Sequence, residues 1–287
     1  MKDLRGKNAI VTGGSRGIGP YIGRALAAEG LNLALAARLA DKLEAVAKEL
    51  GGLGVRTVAI PTDITDEASR HALIQCAEAE LGQIDILVNN AARSPHVVPF
   101  ARQEQEGVRD TIEVNLLAHL SLTRLLLSGM LERGRGHIVT ISSMAGKTGI
   151  PYWSVYAASK AAIIAWTNAL RVELEGTGVG ASVICSSYVS DVGMWAFQGY
   201  PAPRLPGPVL AKDVAKAIVR AVRRDVPEVR VASVPTRPLL VLMALSPALG
   251  NLIIKAMGVV RLQRQLANQS EEASVSTGAQ TPKRGDL

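Results

Sequence analysis

Short apolar runs alternate with longer mixed segments along most of this chain. The apolar runs fall near 7–12, 32–37, 55–60, 84–88, 136–141, 181–186 and 229–233, and they predict strands with helices between them. Strands that alternate with helices in this way predict a parallel sheet covered on both faces. Past Pro235 the pattern changes. Leu239 to Val260 is almost wholly apolar, interrupted by Pro247, Gly250, Asn251 and Lys255. That length approaches the ~20 residues that cross a bilayer, but Pro247 and Lys255 predict two short helices instead of one straight span. Packing in an oligomer or as a cover over substrate is the preferred expectation, and a seat on a membrane surface through 239–260 the less favoured one. From Ala267 to Leu287 the chain turns polar and is expected to form a disordered tail. No internal repeat is present.

Composition narrows the function classes. A chain of 287 residues, 48% hydrophobic and 20% charged, can bury a sizeable core. The net charge of +7 invites a nucleic-acid reading, but aromatics make up only 3% and do not interleave with basic residues, which argues against it. Arg-rich surface helices such as 220–224, together with phosphate-facing arginines, account better for the charge. Cys76 and Cys185 are too few and too far apart for a disulfide framework. His71, His96, His119 and His137 have no metal-ligand spacing, so no metal is expected. Lys2, Asp3, Arg5 and Lys7 precede the first strand without a signal-peptide pattern, and a cytoplasmic protein is the expectation.

Three segments carry chemistry. The strand Asn8-Ala9-Ile10-Val11 runs into Thr12-Gly13-Gly14-Ser15-Arg16-Gly17-Ile18-Gly19, and a helical stretch follows from Pro20 to Glu29. Glycines allow a tight turn and close backbone approach, while a helix N-terminus offers unpaired N–H groups and a positive dipole end, so the unit suits a phosphate. The spacing of Gly13, Gly17 and Gly19 differs from the usual Gly-x-Gly-x-x-Gly fingerprint. The second segment, Ile138 to Ser143, is a strand ending in hydroxyls, where parallel α/β sheets place ligand-contacting groups. The third is Tyr156-Ala157-Ala158-Ser159-Lys160, whose Ala-rich sequel predicts a helix. Positions i and i+4 share one face, which sets a phenol beside an ammonium. A neighbouring positive charge favours the phenolate and should bring the Tyr156 pKa down toward the working range.

Thr12-Gly13-x-x-x-Gly17-x-Gly19, Asp63-Ile64, Asn89-Asn90-Ala91-Ala92, Asn115, Ser143 and Tyr156-x-x-x-Lys160 stand in the order and at the spacing of the short-chain dehydrogenase/reductase superfamily. The chain resembles that family from about Leu4 to about Val234, in particular its NADP(H)-preferring 3-oxoacyl reductase or ketoreductase-like members. The resemblance implies an α/β fold: a Rossmann-type doubly wound parallel sheet of about seven strands with helices on both faces, here with an extra apolar C-terminal helical segment. It favours a single catalytic domain over 1–234, an apolar extension over 235–266 and the tail 267–287.

By the same resemblance, Ser143, Tyr156 and Lys160 are catalytic, and Asn115 holds a water in a relay reaching Lys160. Gly13, Ser15, Arg16, Gly17, Ile18, Gly19, Asp63, Ile64, Asn90, Tyr156, Lys160 and Val189 line the cofactor, with Asp63 meeting the adenine. The second strand ends Ala36-Ala37-Arg38, without the carboxylate that would accept from free ribose hydroxyls. Arg38 and Arg16 together suit a phosphate dianion, so NADP(H) is predicted over NAD(H). The implied activity is NADPH-dependent reduction of a small hydrophobic ketone, or oxidation of the alcohol in reverse, with Tyr156 as proton donor in a homotetramer or homodimer.

Three departures from the family pattern weigh on this reading. Ser186-Ser187 stands in place of a common Pro-Gly, Asp191 at a position that is often Thr, and Ala92 in place of Gly. Losing Pro-Gly is expected to loosen the turn that shapes the nicotinamide pocket. The alternative these changes suggest is a dinucleotide-binding sensor or interaction protein with little turnover. Substrate recognition is expected from 94–100, 144–153 and a lid over 188–208.

Overall fold

The computed structural model describes residues 1–94, 97–196, 202–203 and 206–277, with backbone alone at 247 and 270–277. The chain opens with three strand–helix units: β1 (Asn8–Thr12), α1 (Gly19–Ala28), β2 (Asn32–Ala37), α2 (Ala40–Gly51), β3 (Thr57–Pro61) and α3 (Glu67–Leu81). Next come β4 (Ile86–Asn89), α4 (Gln105–Ile112), a π-helical turn over Glu113–Leu117, α5 (Ala118–Glu132), β5 (Gly136–Ser143), α6 (Ala145–Thr148), α7 (Ser154–Glu173) and β6 (Val179–Ser186). The short β7 (Tyr188–Val189), α8 (Gly193–Ala196) and β8 (Pro208–Val209) precede α9 (Ala211–Arg224) and β9 (Glu228–Val231). Three helices close the chain: α10 (Arg237–Leu245), α11 (Pro247–Ala256) and α12 (Val259–Thr277).

Seven strands form one parallel sheet in the order β3-β2-β1-β4-β5-β6-β9, while β7 and β8 pair separately. Each strand of the sheet alternates its side chains between two apolar layers, as period-two geometry requires. Ala9 and Val11 of β1 face the layer under α1, α2 and α9, while Ile10 faces the layer under α3, α5 and α7. Burying such a Leu, Ile or Val side chain contributes about 1.5–3 kcal/mol. The continuous helical stretch Gln105–Glu132 is long and apolar enough to cross a bilayer by length and composition. Here, however, Leu122, Leu126 and Met130 are buried against the sheet with Ile138, so the apolar stripe is spent on the core.

Local chemistry sets the helix ends. Asp66 Oδ2 accepts from Ser69 N at 2.6 Å and starts α3. Ser246 and Pro247 separate α10 from α11, as the proline predicts; Ser246 Oγ accepts from Leu249 N at 3.5 Å. The helix α12 runs on to Thr277 and corrects the expectation of a disordered tail from Ala267. The physical reason is burial: Leu266 and Ala267 sit in the apolar cluster that contains Trp153 and Tyr156. The last residues of that expected tail, 278–287, lie outside the described residues.

Candidate active site

The sheet order reverses between β1 and β4, and ligands of open α/β sheets bind at the carboxyl end of such a switch point. Thr12 stitches the two strands together there. Its Oγ1 accepts from Asn90 N and Ala91 N, both at 3.0 Å, and donates to Val88 O at 3.3 Å. Asn90 Nδ2 returns a bond to Thr12 O at 2.8 Å. This brings Asn90 against the glycine turn that holds Ser15, Gly17 and Ile18. A Cβ on Gly13 would come within 2.9 Å of Asn90 Nδ2, and one on Gly19 within 2.1 Å of Gly13 O. The turn and helix start therefore meet β4 at a spacing only glycine permits, with Gly13 at φ +67°. The first turn of α1 contains no acidic residue and no side-chain cap, so its positive end is left for an anion. Beside it Arg16 and Arg38 are both exposed, and the Arg16 guanidinium is pushed down by burial and by the like charge of Arg38. Two cations held together at a glycine cradle fit the phosphates of a dinucleotide.

Asp63 and Ile64 are placed differently from the rest of this set. Asp63 Oδ1 accepts from Thr65 N at 2.9 Å and Thr65 Oγ1 at 2.7 Å, an Asx-type turn at the end of β3. Ile64 is buried in the layer under α3. Val189 of β7 lines the cavity described below.

Ser143, Tyr156 and Lys160 converge. Ser143 ends β5 and accepts from Ala145 N at 3.1 Å; its hydroxyl also hydrogen-bonds with Tyr156, which projects from the first turns of α7. Lys160, one turn further on, is fully enclosed and donates from Nζ to Ile141 O at 3.0 Å, with Nζ 5.8 Å from the Tyr156 ring centroid. Ser142 Oγ donates to Lys160 O at 2.8 Å and fixes α7 on β5. Burial pushes the Tyr156 phenol up to about 12, with the Ser143 hydrogen bond pulling the other way. The downward shift expected from Lys160 is thus corrected. Desolvation of a phenolate outweighs an ammonium directed at a backbone carbonyl. Burial in turn pushes the Lys160 ammonium down to about 8.

Asn115 lies in the π-helical turn, fully buried. Its Oδ1 accepts from Arg93 N at 2.7 Å, and its Nδ2 donates to Arg93 O at 2.9 Å and Ser159 Oγ at 3.0 Å. Ser159 Oγ donates to Tyr156 O at 2.7 Å. Both amide protons of Asn115 are therefore committed to holding the loop after β4 against the helix of Tyr156. One turn beyond Asn115, at the start of α5, His119 Nε2 donates to Ala91 O at 2.9 Å. Burial first and the Lys160 charge second push its imidazole down to about 3, so it is neutral. In the sequence His119 stood only among scattered histidines; its signal was the i+4 spacing from Asn115.

The departures prove structural. Ser187 N donates to Val231 O at 2.8 Å, Ser187 Oγ to Gly207 O at 2.6 Å, and Met144 N to Ser186 O at 2.9 Å. The Ser186-Ser187 turn is consequently pinned on three sides, and the looseness expected from losing Pro-Gly is corrected. Neither serine takes a positive φ, so the turn has no need of glycine. Asp191 Oδ1 accepts from Ala211 N at 3.0 Å, directing its charge at the N-terminus of α9. Asp191→Ala should cost about 1 kcal/mol and lower Tm by about 2–4 °C in a thermal melt. An unchanged Tm would mean that the cap is idle.

Above Ser143 and Tyr156 opens a cavity of about 130 Å³. Its walls include Trp153, Tyr188 and Trp195, with Leu239 and Met243 of α10, Ile254 of α11 and Met257 just past its end; among the described residues no charged side chain lines it. Tyr188 packs edge to face on Trp195 at 4.5 Å between centroids, and Trp153 lies tilted by 31° on Tyr156 at 5.1 Å. The apolar extension is thereby placed as a cover over the site. Of the expected recognition segments, 95–96, 197–201 and 204–205 lie outside the described residues, including Phe197 and Tyr200.

Comparison with known proteins places this geometry. The profile of the short chain dehydrogenase family matches residues 7–199. Ketoacyl reductase HetN of Nostoc sp. is 39% identical over 282 residues, covering 96% of this chain and 98% of the relative. The monensin polyketide synthase putative ketoacyl reductase of Streptomyces virginiae is 38% identical over 205 residues, 70% of this chain and 78% of the relative. Among solved structures, an actinorhodin polyketide ketoreductase variant with NADPH superposes with a TM-score of 0.73 at 30% identity, covering 81% of this chain and 98% of that one.

Proposed function

Since the chain belongs to the short chain dehydrogenase family and is an oxidoreductase acting on C=O or CH–OH groups, we propose that it reduces a hydrophobic ketone with NADPH and that Tyr156 delivers the proton. The observation behind this reading is the pair of hydroxyls, Ser143 and Tyr156, set in an uncharged apolar cavity with the Lys160 ammonium beside them. A nicotinamide dinucleotide, when bound, supplies the hydride. Arg16 and Arg38 would hold its ribose phosphate and the turn Gly13 to Gly19 its pyrophosphate, with Asn90 and Val189 as further contacts. The Ser143 hydroxyl donates to the substrate oxygen and orients it. Tyr156, with its phenol up at about 12, stays protonated at neutral pH and transfers its proton to the oxygen as negative charge develops there. The Lys160 charge stabilises the phenolate left behind.

An apolar lining without charged side chains favours a neutral ketone with an apolar chain, in keeping with the ketoacyl names of the relatives. The test is loss of NADPH absorbance over a panel of aliphatic, aryl and acyl-thioester ketones, with NADH run beside it. No turnover on any ketone would overturn the reading. The reductive kcat/KM should be flat at low pH and fall about tenfold per unit above the Lys160 pKa, which lies near 8. The sign follows from Lys160 losing its charge there while Tyr156 remains protonated. A profile flat through pH 10 would remove Lys160 from the proton step. For assembly we propose a homodimer or homotetramer through the exposed faces of α5 and α7, where Val172 is 66% exposed.

A further inference from the structure

The extension beyond Pro235 has two apolar faces, and covering the cavity uses only one. Leu239, Leu240 and Met243 form the inner arc of α10, and Ile254 of α11 and Met257 just past its end continue it. On the opposite arc of α10, Val241, Leu242 and Leu245 are 54%, 48% and 73% exposed, and Leu252 of α11 is 63% exposed. Positions 241, 242 and 245 lie within about 100° of one another on a helix, so they form a patch. No residue of α10 is buried. Charge sets the patch apart from the remainder of the surface. Arg237, Lys255, Arg261 and Arg264 are all exposed, and the sequence holds no Asp or Glu from 236 to 270. The α12 helix is anchored to the catalytic side of the fold. Arg264 Nε donates to Tyr152 OH at 3.2 Å, and Leu262 and Leu266 pack with Trp153.

We propose that α10 to α12 seat this protein on an anionic lipid bilayer, with Val241, Leu242, Leu245 and Leu252 inserted among the acyl chains and the four cations at the headgroups. Apolar side chains flanked by Lys and Arg without carboxylates are the composition of an interfacial helix. A second copy of the chain fits this patch less well. A two-fold interface would set each cationic patch against itself, with no carboxylate between 236 and 270 to compensate. The inner arc of the same helices walls the cavity. On the ketone-reductase reading, to which this last step alone is tied, the ketone is therefore an amphiphile that reaches Ser143 and Tyr156 out of the bilayer.

The experiment is sedimentation of the full chain with vesicles of phosphatidylcholine containing roughly a third phosphatidylglycerol, and with phosphatidylcholine alone, at low and high salt. Binding is expected to the anionic vesicles, weakened by salt and by removal of the anionic lipid. A triple variant, Val241→Ser with Leu245→Ser and Leu252→Ser, should lower the partition coefficient at least tenfold. Arg237→Glu with Lys255→Glu should lower it comparably. Both variants should keep the wild-type melt and the wild-type turnover of a water-soluble ketone. Protein that stays in the supernatant with every vesicle overturns the proposal. So does a triple variant that still sediments, or one whose only change is in oligomeric state. Because vesicle binding is read without turnover, its failure and the failure of the reductase reading are distinct results.

Discussion

Tyr156→Phe should lower kcat for ketone reduction by about a thousandfold and leave dinucleotide affinity within about threefold. The substitution removes one oxygen and, with it, the proton proposed to pass to the substrate carbonyl. The fold should tolerate it. The phenol is buried and bonded to Ser143, so losing it removes one hydrogen bond and one desolvation cost together. Ser143 keeps its bond from Ala145 N at 3.1 Å, so its hydroxyl stays in place. That asymmetry makes Tyr156 a cleaner probe than Ser143, whose removal also detaches α6 from the end of β5. Turnover of NADPH on the best ketone, with cofactor binding measured by fluorescence, checks the expectation. A variant that retains a tenth or more of wild-type kcat would take the proton-donor role from Tyr156.

What the sequence makes legible here is what short-range chemistry controls. The apolar runs place the seven strands of the sheet to within about two residues because the strands inside the sheet are buried on both faces and the edge strands β3 and β9 on part of theirs. The glycine turn is legible because close approach at Gly13 and Gly19 leaves no substitute. Tyr156 and Lys160 are legible because i and i+4 must share a helix face. Long-range partners are not. The pinning of Ser187 comes from Gly207 and Val231, and the use of Asp191 from Ala211; no local pattern announces either. The Tyr156 pKa departs from the local expectation for a related reason, since its cause is burial among distant segments, not the charge four residues away. The last helix was hidden by its own composition. Val259, Leu262, Leu266 and Ala267 keep helical spacing, but Gln263, fully buried among them, and the polar residues that follow obscure the stripe.

Replacing Arg38 by Asp together with Arg16 by Ala should invert cofactor choice, lowering kcat/KM for NADPH about a hundredfold or more while NADH use holds or rises. Each charge-assisted hydrogen bond to a phosphate is worth about 1.5–3 kcal/mol, and two guanidiniums acting on one phosphate account for a change of that size. The fold has little to lose, since both residues are exposed and the Arg38 charge disfavours that of Arg16. An acid at position 38 also restores the acceptor that ribose hydroxyls meet at the end of a second strand. The wild-type enzyme supplies an independent check. Salt screens exposed charges, so the KM for NADPH should rise with ionic strength while that for NADH hardly moves. If both KM values move together, or if the wild type turns over NADH as fast as NADPH, the arginines are not reading a phosphate. The end of the second strand would then be neutral toward the two cofactors.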